Sequence, residues 1–184
     1  MARGSNAPLT QEIPSLTGVV LGIAVDAGKE TPLLDSLVVA TILCDEDHHA
    51  ISDAHFVFFN QLTTPELSVS QLDQALDGDT EQIEVDLRDV PAEVTRITVV
   101  VYLDEPEPVH RTLGRLRSCT IRVLNQDGNQ PLLVSENLAP ALDAETALQL
   151  GELYRHGPHW KFKVLGLGYD NGIAGIAADF GLTL

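Results

Sequence analysis

Short apolar segments separated by polar turns recur along the 184-residue chain. In two of them the alternation is strict: Ile121 and Val123 alternate with polar residues, and so do Trp160, Phe162 and Val164. A period of two is typical of strands with one buried face, as in an antiparallel sandwich. The chain is therefore expected to be mainly β. The predicted strands cover 18–25, 37–43, 55–59, 97–103, 119–124, 131–135 and 160–164.

Two segments carry further positional information. Segment 97–103 is apolar on both faces, which is typical of a strand in the middle of a sheet. Segment 125–129 is polar and lies between two predicted strands, and its Gly128 can adopt the positive φ of a tight turn. Segment 125–129 is therefore predicted to form a hairpin turn.

A different spacing precedes the last predicted strand. Asp143 is a favourable N-cap residue, Glu145 suits a helix N-terminus, and apolar residues follow at helical spacing up to Tyr154. Gly157 and Pro158 are typical of the end of a helix. The pattern predicts a helix between these limits, and further helices are predicted over 69–76 and 172–180. No internal repeat or linker-like tract is visible, so residues 1–184 are expected to form a single domain.

The chain is strongly acidic. It has 27 Asp and Glu residues against 11 Lys and Arg residues, a formal net charge of −16. Because like charges repel, nucleic acids and anionic membranes are not expected as partners. The same surface attracts hard cations such as calcium, although a high charge also serves solubility by itself.

Targeting and redox signals are sparse. The N-terminal residues lack the apolar core of a signal peptide, and no apolar run reaches the length of a transmembrane helix. A cytoplasmic location is therefore expected. Cys44 and Cys119 lie far apart and outside any C-x-x-C motif, which favours two buried free thiols over a disulfide.

Three polar segments are candidates for chemistry. Segment 77–81 places three carboxylates around a glycine, a composition that suits calcium but is also common in solvated turns. Segment 45–49, with Asp53 and His55 nearby, offers ligands for a transition metal, but a polar hairpin loop is the preferred interpretation. The glycines of 166–172 lack the βαβ context of a dinucleotide site and are interpreted as turn residues.

Motifs of enzymes are absent from the sequence. There is no nucleophile elbow, phosphate-binding loop or zinc-protease motif. His110, His156 and His159 have no serine or cysteine nucleophile beside them in sequence. The chain is therefore not expected to be an enzyme, and a hydrolase assembled from distant residues is the last alternative.

The C-terminal part carries a specific combination of motifs. Segment 151–156 reads Gly-Glu-Leu-Tyr-Arg-His, segment 160–163 reads Trp-Lys-Phe-Lys, and segment 166–169 reads Gly-Leu-Gly-Tyr. Together with Phe-Val-Phe-Phe-Asn at 56–60, they resemble the signature of TerD-domain proteins, and the resemblance spans nearly the whole chain. It implies an antiparallel β-sandwich with one or two flanking helices. It also implies calcium bound in acidic loops and a non-enzymatic role in bacterial stress response or tellurite resistance.

The resemblance further implies a set of calcium ligands, which by position are Asp26, Asp35, Asn60, Asp77, Asp79 and Glu81. The chain departs from the family pattern at Leu33, Gln61 and Thr80, where the family has Asp, Asn and Asp. Each lost carboxylate weakens calcium binding, because affinity depends on the number of charged ligands. The site is therefore expected to bind one ion weakly, or none.

A metal-free scaffold that works through protein contacts is the alternative function. The apolar pair Leu33 and Leu34 and the segment 72–76 stand where the family has charged residues. Exposed apolar patches are typical of interfaces. This alternative implies protein partners, including further copies of this chain.

Overall fold

The computed structural model describes residues 1–106 and 109–184. Its strands are β1 (Asn6–Pro8), β2 (Gly18–Asp26), β3 (Leu37–Cys44), β4 (Phe56–Val57), β5 (Val69–Gln71), β6 (Glu81–Asp86), β7 (Arg96–Leu103), β8 (Ser118–Asn125), β9 (Pro131–Val134), β10 (Ala147–His156) and β11 (His159–Tyr169). The helices are α1 (Thr31–Asp35) and α2 (Gly172–Phe180), and short 3₁₀ turns occupy Asp53–His55, Leu113–Arg115 and Ala139–Ala141.

The strands form two antiparallel sheets. Sheet A has the order β1-β11-β10-β7-β3-β4, and sheet B has the order β5-β6-β2-β8-β9. Their apolar inner faces pack against each other, and the core contains fully buried side chains from both, such as Leu21 and Ile121 of sheet B and Ile97 and Phe162 of sheet A. The predicted mainly β sandwich is confirmed. No helix in the described ranges combines the length and apolarity needed to cross a membrane.

The two alternating segments form half-buried strands, as predicted. The alternating apolar residues Ile121, Val123, Trp160, Phe162 and Val164 face the core, while the polar residues between them are only partly buried. Strand β7 lies between β10 and β3, with six consecutive buried residues. The prediction of a central strand at 97–103 is also confirmed, because both faces of β7 are covered.

Helix α2 covers part of the outer face of sheet A, and the prediction of a helix over 172–180 is confirmed. Ile176 and Phe180 pack in a second apolar cluster with Ile42 and Val100 of the sheet. The helix ends at Gly181, whose φ of 66° is the left-handed conformation typical of a C-terminal glycine. Sheet A is therefore buried on two sides where α2 lies and open beyond it.

The prediction of a helix between Asp143 and Tyr154 is wrong, since this segment enters β10 and pairs with β7 and β11. A register shift between Gln149 and Gly151 breaks the period of two. Leu148, Leu150 and Leu153 consequently all lie in the sandwich core, a spacing that resembles a helical stripe. Gly157, with φ of 59°, turns the β10–β11 hairpin instead of ending a helix.

The prediction of a helix over 69–76 is also wrong. Val69 to Gln71 form the short edge strand β5, which pairs with β6 from Val69↔Val85 to Gln71↔Ile83. Pairing with the next strand, β6, stabilises the extended conformation and overrides the local helical preference. The strand predicted at 55–59 is reduced to β4, which follows a 3₁₀ turn.

Two further predictions are confirmed. Gly128 has φ of 77° in the turn between β8 and β9. Cys44 and Cys119 are buried free thiols, and burial raises the pKa of each to about 12. At neutral pH both are therefore protonated core residues.

Candidate functional site

A pocket of about 330 Å³ opens at one end of the sandwich. Five elements meet there: the end of α1, the start of β3, the end of β5, the start of β6 and the residue after β7. The polar residues they contribute are Asp35, Ser36, Gln71, Glu81 and Asp104. Three carboxylates separated by long stretches of sequence therefore line the same cavity.

One side chain in this pocket is buried with an unused acceptor. Gln71 is 9% exposed, and its Nε2 donates to Glu81 Oε2 at 3.2 Å. Among the described residues, its Oε1 has no hydrogen-bond partner. An unsatisfied buried acceptor is rare in a native structure, because its desolvation is not compensated. This oxygen is therefore available to a ligand that carries positive charge or a donor.

Asp79, one of the predicted calcium ligands, is committed to another contact. Its side chain is 3% exposed, and it pairs with Arg122 of β8, with Nη2 2.8 Å from Oδ2 and Nε 3.0 Å from Oδ1. Gln82 Nε2 also donates to Asp79 Oδ2 at 2.7 Å. The ion pair crosses β2 at Gly22, where a Cβ would collide with the carboxylate. Asp79 thus fastens the 77–81 loop to sheet B.

Three further predicted ligands lie apart from the pocket lining. Asp26, Asn60 and Asp77 are all exposed. Asp26 Oδ1 accepts from the backbone N–H of Gly28 at 2.7 Å, which shapes the turn after β2. Of the six predicted ligands, the structure brings only Asp35 and Glu81 into the pocket.

The donor set has the chemistry of a calcium site without its compactness. The side-chain ligands in the pocket are oxygens of carboxylates and an amide, which hard cations prefer. Within the described ranges, however, no group of three or more His, Cys, Asp or Glu side chains is arranged closely enough to hold a metal ion. The residues therefore fit a weak site whose carboxylates would have to draw together around the ion.

Sequence reasoning missed Gln71 and Asp104. Gln71 was hidden inside the predicted helix over 69–76, whereas in β5 its amide faces the pocket. Asp104 directly follows the central strand 97–103, and its backbone N–H donates to the carbonyl of Ser36 at 2.8 Å. A carboxylate at the end of a central strand was the available signal for Asp104.

A serine, a histidine and a glutamate also form a chain beside β4. Ser52 Oγ lies 2.8 Å from His55 Nδ1, and His55 Nε2 lies 3.2 Å from Glu66 Oε2. Ser52 Oγ also accepts from the backbone N–H of Ala54, so it caps the 3₁₀ turn. Burial acts to raise the pKa of Glu66, but hydrogen bonds from Ser68 and Thr64 and the charge of His55 together hold that pKa below its usual value. These three side chains therefore have a structural role: their contacts join the 3₁₀ turn at Asp53–His55 to the loop that contains Glu66.

The loop at 45–49 is organised as a polar hairpin turn. Asp45 Oδ1 accepts from the backbone N–H groups of Asp47 and His49 at 2.9 and 3.0 Å. His48 adopts a positive φ of 65° in this turn. The carboxylate of Asp45 is therefore used by the backbone, in agreement with the preferred interpretation of this segment.

Comparison with known proteins extends over the whole fold. The family model of the TerD domain matches residues 1–180. The chain is 35% identical to General stress protein 16U of Bacillus subtilis and 31% identical to Tellurium resistance protein TerD of Serratia marcescens, covering 100% of this chain and 97% of each relative. A crystal structure of a telluride resistance protein homologue from Streptomyces coelicolor shares the fold, with a TM-score of 0.66, 17% identity, and coverage of 88% of this chain and 95% of that one. The chain belongs to the TerD domain family.

Proposed function

We propose that this protein is a non-enzymatic binding module of the bacterial stress response that takes up calcium weakly in the pocket lined by Asp35, Glu81 and Asp104. Relatives matched over their nearly full length carry the names General stress protein 16U and Tellurium resistance protein TerD, which supports the stress-related role. The observation that carries the calcium site is the buried Gln71 Oε1, which no residue in the described part of the chain hydrogen-bonds.

Electrostatics supports a cation as the ligand. The three carboxylates of the pocket belong to a chain with a net charge of −16, so the local potential attracts positive ions. A calcium ion would neutralise the mutual repulsion of Asp35, Glu81 and Asp104 and accept the Gln71 carbonyl as a neutral ligand. Because the carboxylates are not preassembled, part of the binding free energy is used to bring them together, and the affinity is low.

Thermal unfolding in EDTA, calcium and magnesium tests this proposal. A ligand that binds only the native state at about 100 times its Kd adds about 2.7 kcal/mol to the free energy of unfolding. We expect an upward shift of Tm in millimolar calcium and a smaller one in magnesium, which tolerates irregular coordination poorly. Equal Tm values in EDTA and calcium would contradict the calcium site.

Two variants locate the site. Glu81→Gln and Asp104→Asn each remove one pocket carboxylate and should abolish most of the calcium-dependent shift. Asp127→Asn is the matched control, because Asp127 is an exposed carboxylate in the β8–β9 turn. If all three variants retain the same shift, calcium binds elsewhere on the molecule.

The metal-free scaffold remains the second candidate, in a corrected form. Leu33 is fully buried in the sandwich core, so it cannot belong to an interaction patch. Leu76 and Phe59 are 56% and 52% exposed, and Phe59 lines the pocket. Exposed large apolar side chains of this kind favour protein contacts at the end of the sandwich that carries the pocket. Light scattering over a range of concentrations tests self-association: a constant monomer mass would exclude it, and a rising mass would favour it.

A further inference from the structure

A second groove lies on the outer face of sheet A, beside helix α2. Its volume is about 380 Å³, which is within the range of small-molecule sites. Strands β7, β10 and β11, the 45–49 loop and helix α2 supply its polar side chains, and the apolar residues come from β11 and α2. Its lining includes Arg96, Gln149, Glu152, Lys163, Leu165 and Leu167. It shares no residue with the pocket that contains Asp35, Glu81 and Asp104.

Two polar side chains of this groove are almost completely buried. Glu152 is 5% exposed and Gln149 is 9% exposed. Glu152 Oε1 accepts from Arg96 Nη1 at 2.7 Å, and Gln149 Nε2 contacts the hydroxyl of Tyr169. In the described part of the chain no hydrogen bond uses Glu152 Oε2 or Gln149 Oε1. Two acceptors on β10, three positions apart in sequence, are therefore free at the floor of the groove.

The cations of the groove are also only partly used. Arg96 donates to Glu152 through Nη1, and its guanidinium lies over the ring of Tyr154, 5.8 Å from the ring centroid. Lys163 is the cross-strand neighbour of Glu152, yet within the described ranges its ammonium makes no ion pair. Asp179 Oδ2 accepts from the hydroxyl of Tyr169 at 2.8 Å. The lining thus holds the cations Arg96 and Lys163 and the carboxylates Glu152 and Asp179, and groups of both signs can form further hydrogen bonds.

The presence of both cations and carboxylates in the groove favours one class of ligand over two others. A simple anion would be attracted by Lys163 and Arg96 but repelled by the buried Glu152 carboxylate. A simple amine would be attracted by Glu152 but repelled by Arg96 and Lys163. A small molecule with both charges satisfies the two sets of groups together, and its apolar part would contact Leu165 and Leu167, of which Leu167 is 48% exposed.

From these contacts we infer that the outer groove of sheet A binds a small zwitterion of the amino-acid type. The ligand's carboxylate accepts from Lys163 and Arg96. Its ammonium donates to Glu152 Oε2 and Gln149 Oε1, and an aliphatic side chain lies along β11. This binding site is separate from the proposed calcium site, because the two sites use different residues.

Titration by NMR tests the chemical class of the ligand in the presence of EDTA. The probes are leucine, 4-methylpentanoate, which lacks the amine, and 3-methylbutylamine, which lacks the carboxylate. We expect saturable shifts of the amide signals of residues 149, 152, 163 and 179 with leucine. Each analogue should bind at least about tenfold more weakly, because it lacks one charged hydrogen-bonding group. Absence of saturable shifts up to the solubility limit of leucine, or equal binding of either analogue, would overturn the proposal.

Substitutions on β11 and β10 test the location. Lys163→Met should weaken leucine binding about tenfold, because it removes the ammonium that receives the carboxylate. Lys161→Met is the matched control, since Lys161 lies on the same face of β11 but outside the groove. Gln149→Leu removes a floor acceptor at similar volume and should also weaken binding. Equal affinities for Lys163→Met and Lys161→Met would place the ligand elsewhere.

Discussion

At the scale of single residues, Arg155 shows how a family motif serves the fold. Its Nε donates to the carbonyl of Val94 at 2.8 Å, and its Nη2 donates to the carbonyls of Val90 and Pro91. The guanidinium also lies over the ring of Trp160, 4.4 Å from its centroid. Burial lowers the pKa of Arg155, but arginine stays charged at neutral pH. The residue therefore satisfies three carbonyls of the segment before β7.

Replacement of Arg155 by alanine is expected to destabilise the protein by about 2 to 4 kcal/mol, because it leaves carbonyls without donors and removes the stacking on Trp160. Lysine should not restore the loss, since an ammonium cannot reproduce the planar fork of donors. Urea unfolding measures the effect. Arg88→Ala is the control, because Arg88 pairs only at the surface with Asp86, and it should change stability little. A similar loss in both arginine variants would contradict this role.

The contact between Glu105 and Arg111 should make the stability of the folded state depend on pH. Burial acts to raise its pKa, but hydrogen bonds from Arg111 outweigh this effect and hold the pKa below the usual 4.5. A carboxyl group with a depressed folded pKa contributes stability above its unfolded pKa, and this contribution disappears as the pH falls through the folded value. The stability difference between the natural protein and Glu105→Gln should thus be constant at neutral pH and shrink below 4.5.

Unfolding of both proteins between neutral pH and acid pH measures this difference. Glu12→Gln, at an exposed carboxylate, corrects for the change in net charge. A difference that stays constant into acid would show that the pair of Glu105 and Arg111 does not stabilise the folded state.

At the scale of elements, strand β10 depends on one irregularity. The register shift between Gln149 and Gly151 lets Leu148, Leu150 and Leu153 all enter the core. The shift also requires a residue without a side chain, since a Cβ at Gly151 would lie 2.6 Å from Phe162 Cζ and 2.9 Å from the carbonyl oxygen of Lys163. Strand β10 therefore contains a bulge, and at Gly151 its backbone lies close to Phe162 and Lys163 of β11.

Gly151→Ala is expected to destabilise the protein by about 2 kcal/mol, because Phe162 is fully buried and cannot move aside without disturbing the core. Gly157→Asn provides the comparison. Gly157 also belongs to this hairpin and has φ of 59°, but no atom would lie within 4 Å of its Cβ, and asparagine tolerates that conformation. Chemical unfolding should separate the two variants clearly, and equal stabilities would show that the strand can relax around the added methyl group.

At the scale of the whole molecule, charge governs stability and binding. A net charge of −16 on a chain of this size makes the folded state repel itself. Salt screens this repulsion, with a Debye length of about 10 Å at 0.1 M. We expect Tm to rise with NaCl in the presence of EDTA, before any specific cation is added. A Tm that falls with salt would mean that ion pairs such as Arg122–Asp79 outweigh the overall repulsion.

The sequence by itself determined the mainly β class, the central position of β7, the half-buried faces of β8 and β11, and helix α2. These features follow from the pattern of apolar and polar positions, which is a local property of the chain and is little affected by distant residues. The family motifs of the last third of the chain were equally local. Periodicity failed at β10, because a bulge in a strand gives leucines a spacing close to that of a helix.

Only the tertiary structure decided which polar residues meet. Asp79 carries the same carboxylate as its neighbours in sequence, yet the register of β2 and β8 directs it to Arg122. Gln71 and Asp104 join Asp35 and Glu81 at one pocket because α1, β5 and β7 end, and β6 begins, at the same side of the sandwich. Lys163, Glu152 and Arg96 likewise come from three adjacent strands. Strand pairing brings together residues far apart in sequence, and local patterns carry no information about which strands pair.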